Sequence, residues 1–247
     1  MYKLKQVFAM DMQNLLTNPM WIFYAVGFPL ALVLLLGFLA SGSFGNAVTS
    51  YDYYGVALMV FAIFNASTFS ANSFMEERIK SPNMRIVYSP ARPWFIHFSK
   101  VIATTVFCTA ANILVAAILH FTVGVNYGGL NGLYLAAIML LSVLFFSALG
   151  VLVCCILRDE SSANNVLSLL LALFAVLGGV FFPVDGFGKA ISAASWISPA
   201  KWILVTCLRI IYDSDFSMFL PACVVLALLS VATVAMSGLV FKGEEYI

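Results

Sequence analysis

The sequence predicts an all-α integral membrane protein with six transmembrane helices, an N-terminal interfacial amphipathic helix and two short re-entrant helices between spans five and six. The first observation is compositional: 63% of the residues are hydrophobic and 9% are charged, against about 45–50% and about 25% in a typical soluble domain. The second is that six separate stretches each approach the roughly 20 apolar residues that cross a bilayer as a helix. Residues 1–247 are therefore predicted to form a single transmembrane domain.

The first element, residues 1–19, is predicted to be an amphipathic helix that lies in the membrane interface. Its apolar residues recur at helical spacing, with polar residues elsewhere on the helical wheel. The apolar set is Leu4, Val7, Phe8, Met12, Leu15 and Leu16. Pro19 disfavours helix at Asn18, so the chain can turn there into the first span.

The six spans follow from apolar length. They are predicted at Met20–Ala40, Tyr53–Phe74, Val101–Val123, Leu133–Leu157, Ala163–Phe182 and Phe216–Phe241. Pro183 is expected to end the fifth span, because proline interrupts a helix.

Lysine and arginine residues set the predicted orientation, because they concentrate in the cytoplasmic loops of membrane proteins. Nine of the twelve fall on one side of the predicted membrane and three on the other. The nine are Lys3, Lys5, Arg78, Lys80, Arg85, Arg92, Lys100, Arg158 and Lys242. We therefore expect a multi-pass protein of a bacterial cell membrane, with both termini in the cytoplasm.

Residues 75–100, between spans two and three, form the most charged segment of the chain. Met75–Pro93 alone holds six charged residues. Glu76 and Lys80 stand at the favourable i, i+4 spacing of a short helix, and Ser81-Pro82 then ends it. The segment is either a docking element for a cytoplasmic partner or a loop that is solvated or binds anionic lipid.

Residues 183–215 are too polar to cross the bilayer and too apolar for a free loop. Two short amphipathic helices are predicted, at Gly186–Trp196 and Pro199–Tyr212, because Pro199 suits a first helical turn. Non-spanning segments at membrane depth persist only when they pack on protein or line a cavity. The three basic residues here, Lys189, Lys201 and Arg209, are expected to reach outward to the lipid headgroups.

This hairpin is predicted to cap the outer end of a pathway and to gate release, with a purely structural plug as the alternative. The candidate gate residues are Pro183, Phe187, Trp196, Pro199, Trp202 and Arg209.

Several classes of chemistry are excluded by what the sequence lacks. A net charge of +1 argues against a nucleic-acid partner. The nearest string to an ATP-binding loop, "PVDGFGKAIS", has Pro183 where the first glycine is needed and Ala190 where magnesium requires Ser or Thr. The five cysteines lack zinc-ligand spacing and are expected to be small buried hydrophobes. No carboxylate is predicted near mid-membrane, so uphill transport would need energy from another subunit.

Polar residues inside the spans fall on single helix faces. Asn65, Thr68 and Asn72 do so in span two, Thr105, Thr109 and Asn112 in span three, and Ser161, Asn165 and Ser168 where span five begins. Such sets either hydrogen-bond between helices, at roughly 0.6 kcal/mol per contact, or line a substrate path. The first two sets are the candidate path residues.

The segment "EERIKSPNMRIVYSPARPWFIHFSK" resembles the loop after the second span of ABC-2 type permeases, the membrane subunits of type-2 ABC exporters. In this family an Arg/Glu-rich short helix precedes a Ser/Thr-Pro step, a basic residue and a Gly-Lys pair. Glu77-Arg78, Ser89-Pro90, Arg92 and Ser99-Lys100 fit that order, with Ser99 in place of the usual glycine.

A second stretch, "LGGVFFPVDGFGKAISAASWISPAKWILVTCLR", resembles the region after the family's fifth span. Gly179–Pro183, Pro199 and Arg209 match in order, while Gly188 and Ala200-Lys201-Trp202 depart from the usual residues. The interfacial helix and Phe28-Pro29 inside span one also fit, so the resemblance covers nearly the whole chain.

The resemblance implies a complex of two permeases, identical or related, with a dimer of cytoplasmic ABC ATPases that bind ATP and magnesium; this chain would hold no cofactor and catalyse no reaction. The charged segment would then dock on the ATPase. The residues implied in coupling are Glu76, Glu77, Arg78, Lys80, Met84 and Arg85.

The function expected from these features is export of a hydrophobic or amphipathic compound, such as a drug, an antimicrobial peptide or a lipid. Two alternatives stay open. One is a permease for polysaccharide or lipid-linked glycan, and the other is a membrane-embedded enzyme that works without an ATPase.

Overall fold

The computed structural model describes residues 2–42, 44–45, 48–76, 94–182, 184 and 188–241, and these residues form helices and turns without a strand. We number the helices along the chain. They are α1 Tyr2–Thr17, α2 Pro19–Leu39, α3 Ser50–Met75, α4 Trp94–Val123, α5 Gly132–Leu157, α6 Glu160–Leu177, α7 Lys189–Ser195, α8 Pro199–Leu208 and α9 Phe219–Val240.

Six of these helices, α2 to α6 and α9, are long and apolar enough to cross a membrane. The predicted all-α membrane fold with six spans is thus confirmed. The placement of α1 in the interface and of α7 and α8 as re-entrant helices remains a prediction.

The helix starts follow from local capping chemistry. Asn18 is extended, and its side chain accepts a hydrogen bond from the Met20 N–H, so α1 ends and α2 begins at Pro19. Thr49 and Asp52 form a reciprocal capping box at the start of α3. Asp159 caps α6 through the Ser162 N–H at 2.7 Å, and hydrogen bonds from the Ser162 side chain and N–H lower the pKa of this exposed carboxyl.

Two predicted boundaries were wrong by more than a turn. The third span was expected to begin at Val101, whereas α4 begins at Trp94. The fifth span was expected to run to Phe182 and stop at Pro183, whereas α6 ends at Leu177. The chain turns at Gly179, whose φ of 78° lies in the left-handed region that glycine adopts readily.

One end of the bundle, which we call the near end, carries α1, Glu76 and residues 158–159. The opposite end, the far end, carries the described residues of the ranges 40–49, 124–131 and 178–218. A helical pair at the far end, α7 and the segment Pro199–Asp213, is bent by 95°.

Helix α3 is the centre of the bundle. In its most apolar stretch 83% of residues are buried, against 22% in α2, α6 and α9. Gly150 of α5 lets the two backbones meet, because a Cβ atom there would lie 2.0 Å from the Ser67 carbonyl oxygen of α3. The outer helices therefore leave broad faces uncovered, whereas α3 is enclosed.

Candidate functional site

A polar cavity of about 260 Å³ lies between α2, α3 and α6. Its polar wall is formed by Asn65, Thr68 and Asn72 of α3 together with Ser168 of α6. The remaining lining residues are Met20, Trp21, Tyr24 and Phe69. The structure thus brings the whole predicted set of span two to one cavity, and it adds one residue from the predicted set of span five.

The side-chain amides of Asn65 and Asn72 differ in the strength of the hydrogen bonds that they make within the protein. Asn72 accepts a hydrogen bond from the Asn164 side chain at 2.6 Å, which links α3 to α6. Asn65 donates to the Phe61 carbonyl of its own helix at 3.5 Å, close to the limit at which a hydrogen bond still counts. The Asn65 amide is therefore the better placed to bind a guest in the cavity.

The predicted set of span three is not part of this cavity. Thr109 and Asn112 line a separate cavity of about 360 Å³ between α3, α4 and α5, with mainly apolar walls that include Met59 and Leu135. Thr105 donates to the Val101 carbonyl at 2.7 Å, so its hydroxyl is used within its own helix. Five of the six candidate path residues thus line two different cavities, and Thr105 lines neither of them.

Sequence reasoning missed a buried charge cluster at the near end. Asp11 of α1 and Lys100 of α4 are both 0% exposed and form an ion pair. The Ser99 hydroxyl donates to the second carboxylate oxygen of Asp11 at 2.6 Å. The available signal was a lone acid on the apolar face of α1, since Asp11 stands three residues after Phe8 and four before Leu15.

The ion pair fastens α1 to the beginning of α4. Residues 94–100, which the sequence assigned to the charged segment, form the first turns of the same helix that continues as span three. His97 in these turns is also buried, and its ring packs against Phe241 beyond the end of α9. Three elements therefore meet where the charged segment ends.

Most of the predicted coupling residues lie outside the described residues, namely Glu77, Arg78, Lys80, Met84 and Arg85. Glu76 is described. It ends α3, and its N–H bonds to the Asn72 carbonyl at 2.8 Å. The charged segment thus begins one helical turn beyond a residue that lines the polar cavity.

At the far end, the predicted gate residues are spread over the helical pair, and Pro183 and Phe187 lie outside the described residues. Pro199 occupies the first turn of α8 as predicted, after the Ser198 cap. Trp196 is exposed and Trp202 is half-buried. Arg209 lies 3.6 Å from Asp215 in a solvent-accessible pair, a kind that contributes about 0–1 kcal/mol.

Lys201 contradicts the expectation that the basic residues of this region reach toward the headgroups. It is 5% exposed, so it lies inside the protein. Gly178 explains part of this burial, because a Cβ atom there would lie 2.3 Å from Cβ of Ala200, and α8 therefore begins in direct contact with the end of α6.

The fold and these sites define a polytopic helical membrane protein with a polar cavity at membrane depth. Within the described ranges, no group of His, Cys, Asp and Glu side chains could hold a metal ion. The sequence model of the family described as ABC-2 type transporter matches residues 2–212. The chain belongs to this family, and it is a membrane permease of the kind that works with an ATPase subunit. No match was found among curated proteins.

Proposed function

We propose that this chain is the permease subunit of an ATP-driven exporter, and that it moves a hydrophobic or amphipathic compound through the cavity between α2, α3 and α6. The near end faces the cytoplasm, as the nine-to-three distribution of basic residues indicates. ATP is hydrolysed by a separate ABC ATPase dimer that docks on the charged segment after Glu76.

The polar cavity is the observation that carries this proposal. Asn65 lies 15 residues after Ser50 in a helix of 26 residues, which places it about 22 Å along a helix of about 39 Å. Polar groups at this depth are costly unless they face protein, water or a guest. Amides beside Trp21 and Tyr24 suit a compound with a large apolar surface and a few hydrogen-bonding groups.

The exposed face of α6 supports a second permease. Ser161, Asn165 and Ser168 are all exposed on this helix, although α6 is apolar enough to span the membrane. A polar face in contact with lipid is unfavourable, so we expect a second copy or a related chain to cover it. The cavity that Ser168 borders would then lie next to the contact between the two permeases.

The source of energy is tested first. The tagged full-length chain is purified from its native membranes in mild detergent, and co-purifying proteins are identified by mass spectrometry. An ABC ATPase in about equal amount is expected. Recovery of the chain with no ATPase, under conditions that keep it folded, would overturn the proposal.

The cavity is tested by transport into inverted vesicles that contain the complex. Three probes cover the expected classes: a lipophilic fluorescent dye, a labelled amphipathic peptide and a fluorescent phospholipid. Asn65→Leu should lower ATP-dependent transport of the accepted probe about fivefold, because one hydrogen bond is worth about 1 kcal/mol. Asn112→Leu, in the separate cavity, is the matched control. Equal transport by the Asn65 variant and the parent would show that the path lies elsewhere.

A further inference from the structure

Three consecutive residues at the far end of α3 bond to other parts of the far end. The Tyr53 hydroxyl donates to the Gly179 carbonyl at 2.5 Å, and the Tyr54 hydroxyl donates to the Phe181 carbonyl at 2.9 Å. Both acceptors belong to the turn that follows α6. The beginning of the far-end region 178–213 is thus fixed to α3 by two phenols.

Asp52, the residue before them, has both a local and a long-range role. One carboxylate oxygen accepts hydrogen bonds from the Thr49 N–H at 3.1 Å and the Thr49 hydroxyl at 2.7 Å, which caps α3. The other oxygen accepts from the Asn126 N–H at 2.8 Å. Asn126 lies in the loop between α4 and α5, so the acid holds this loop against α3.

The same loop touches the end of region 178–213. A Cβ atom at Gly128 would lie 3.3 Å from the Ile211 Cα atom, and the Asn131 side chain donates to the Ile210 carbonyl at 3.3 Å. Burial, and then the negative charge of Asp52, raise the pKa of the neighbouring Tyr127. The loop is therefore packed between Asp52 and the last turn of the helical pair.

We propose that Asp52, Tyr53 and Tyr54 form a clasp that holds both the turn after α6 and the last turn of the helical pair to α3, so that a displacement of α3 is delivered to these two turns at once. Tyr53 and Tyr54 hold the turn after α6 directly, and Asp52 holds the last turn of the pair through the loop. Helix α3, which is 26 residues long, runs without a break from this clasp to Met75, and Glu76 follows it. A displacement at the near end therefore reaches the clasp along one rigid helix.

This inference rests on the proposed function for the source of the displacement, but the clasp itself can be tested without an ATPase. Cys207 in α8 is 0% exposed and reports on opening of the far end. The reporter protein keeps Cys207 and carries alanine at the other cysteines, which are Cys108, Cys154, Cys155 and Cys223. Its rate of reaction with a water-soluble maleimide is measured in lipid nanodiscs.

Asp52→Ala should raise the labelling rate of Cys207 about 10- to 100-fold, the factor that corresponds to losing a hydrogen bond to a charged group. Thr49→Ala is the matched control. It breaks the same capping box but leaves the bond from Asn126 to Asp52, so its labelling rate should stay within about threefold of the parent rate.

A second variant keeps the test decisive if Asp52→Ala does not fold. Tyr53→Phe combined with Tyr54→Phe removes only two hydroxyls, and it should raise the labelling rate of Cys207 about 30-fold, the factor that corresponds to losing two neutral hydrogen bonds. A parallel protein that keeps only Cys154, buried at the near end, should show no change with either variant.

The clasp is refuted if Cys207 labelling is unchanged in the folded clasp variants, if Thr49→Ala raises it as much as Asp52→Ala, or if Cys154 becomes reactive to the same degree. The labelling result does not depend on transport. If the clasp variants label faster at Cys207 but the protein binds no ATPase, the clasp is supported and the proposed function is overturned. If the protein carries out ATP-driven export but the clasp variants label at the parent rate, the proposed function is supported and the clasp is refuted.

Discussion

Replacing one member of the buried Asp11–Lys100 pair is expected to damage the protein more than most single changes. Both side chains are 0% exposed, so removing one leaves the other as an uncompensated buried charge. Such a change costs about 3–5 kcal/mol. Asp11→Leu and Lys100→Met should each show this loss.

The effect is measured by thermal unfolding of the protein in detergent, followed by tryptophan fluorescence. At about 2–4 °C per kcal/mol for a protein of this size, each single variant should lower Tm by roughly 6–20 °C. Lys5→Met is the control, because Lys5 is an exposed lysine on the same α1 helix, and it should change Tm little. Ser99→Ala should have an intermediate effect, since it removes only one hydrogen bond to the carboxylate.

The double variant decides between a buried ion pair and two independent contacts. Replacing both members by apolar residues of similar size is often neutral or stabilising. Asp11→Leu with Lys100→Met should therefore recover most of the Tm that either single variant loses. If the two losses add, or if the single variants resemble Lys5→Met, the pair does not hold α1 to α4 in the way the structure indicates.

Three further predictions address orientation, coupling and packing. In a cysteine-free background, Ser81→Cys should react with an impermeant thiol reagent only from the cytoplasm and Ser43→Cys only from outside, and reaction of both from one side would contradict the six-span orientation. Glu77→Ala with Arg78→Ala should leave the protein inserted and ATPase-bound but abolish export, so wild-type export by this variant would argue against coupling through the charged segment. Gly150→Ala should destabilise the protein by about 1–3 kcal/mol in the same thermal assay, because the added Cβ atom meets the α3 backbone, and an unchanged Tm would show that the two helices can separate freely.

The number and order of the spans could be predicted because each depends on about 20 local residues. The beginning of α4 could not. His97, Ser99 and Lys100 look like loop residues, since polar groups are rare in buried helices. Their burial depends on Asp11 and on the end of α9, which lie far away in the sequence, so no local pattern could show it.

The end of α6 was predicted too far along the chain, and the reason is the opposite one: here apolar residues lie outside the helix. Val180 and Phe181 continue the apolar pattern beyond Leu177, and apolar length alone extends the helix through them. In the fold they belong to a turn that is buried under Tyr53 and Tyr54 and that Gly179 makes possible. Apolar residues report burial, and burial does not distinguish a helix from a turn that packs under other residues.

The candidate cavity shows how far a helical face can be interpreted. The spacing of Asn65, Thr68 and Asn72 correctly placed them on one face of α3, because a helix fixes that geometry. The same reasoning was equally sound for Thr109 and Asn112, yet that face meets a different cavity. Which faces of two helices meet is decided by packing, and the sequence of each helix does not contain it.

Helices α3 and α6 together give the strongest physical argument for the proposed second permease. They are the two least apolar of the six spanning helices, and polar spans are expected inside a membrane protein. Helix α3 satisfies this expectation, with 83% of its most apolar stretch buried, whereas α6 has only 22% buried. A lone chain in lipid would leave Asn165 and Ser168 against hydrocarbon. The two helices have similar polarity but very different burial. This difference in burial is removed if α6 packs against a second permease, which would cover the polar face of α6 as the rest of the bundle covers α3.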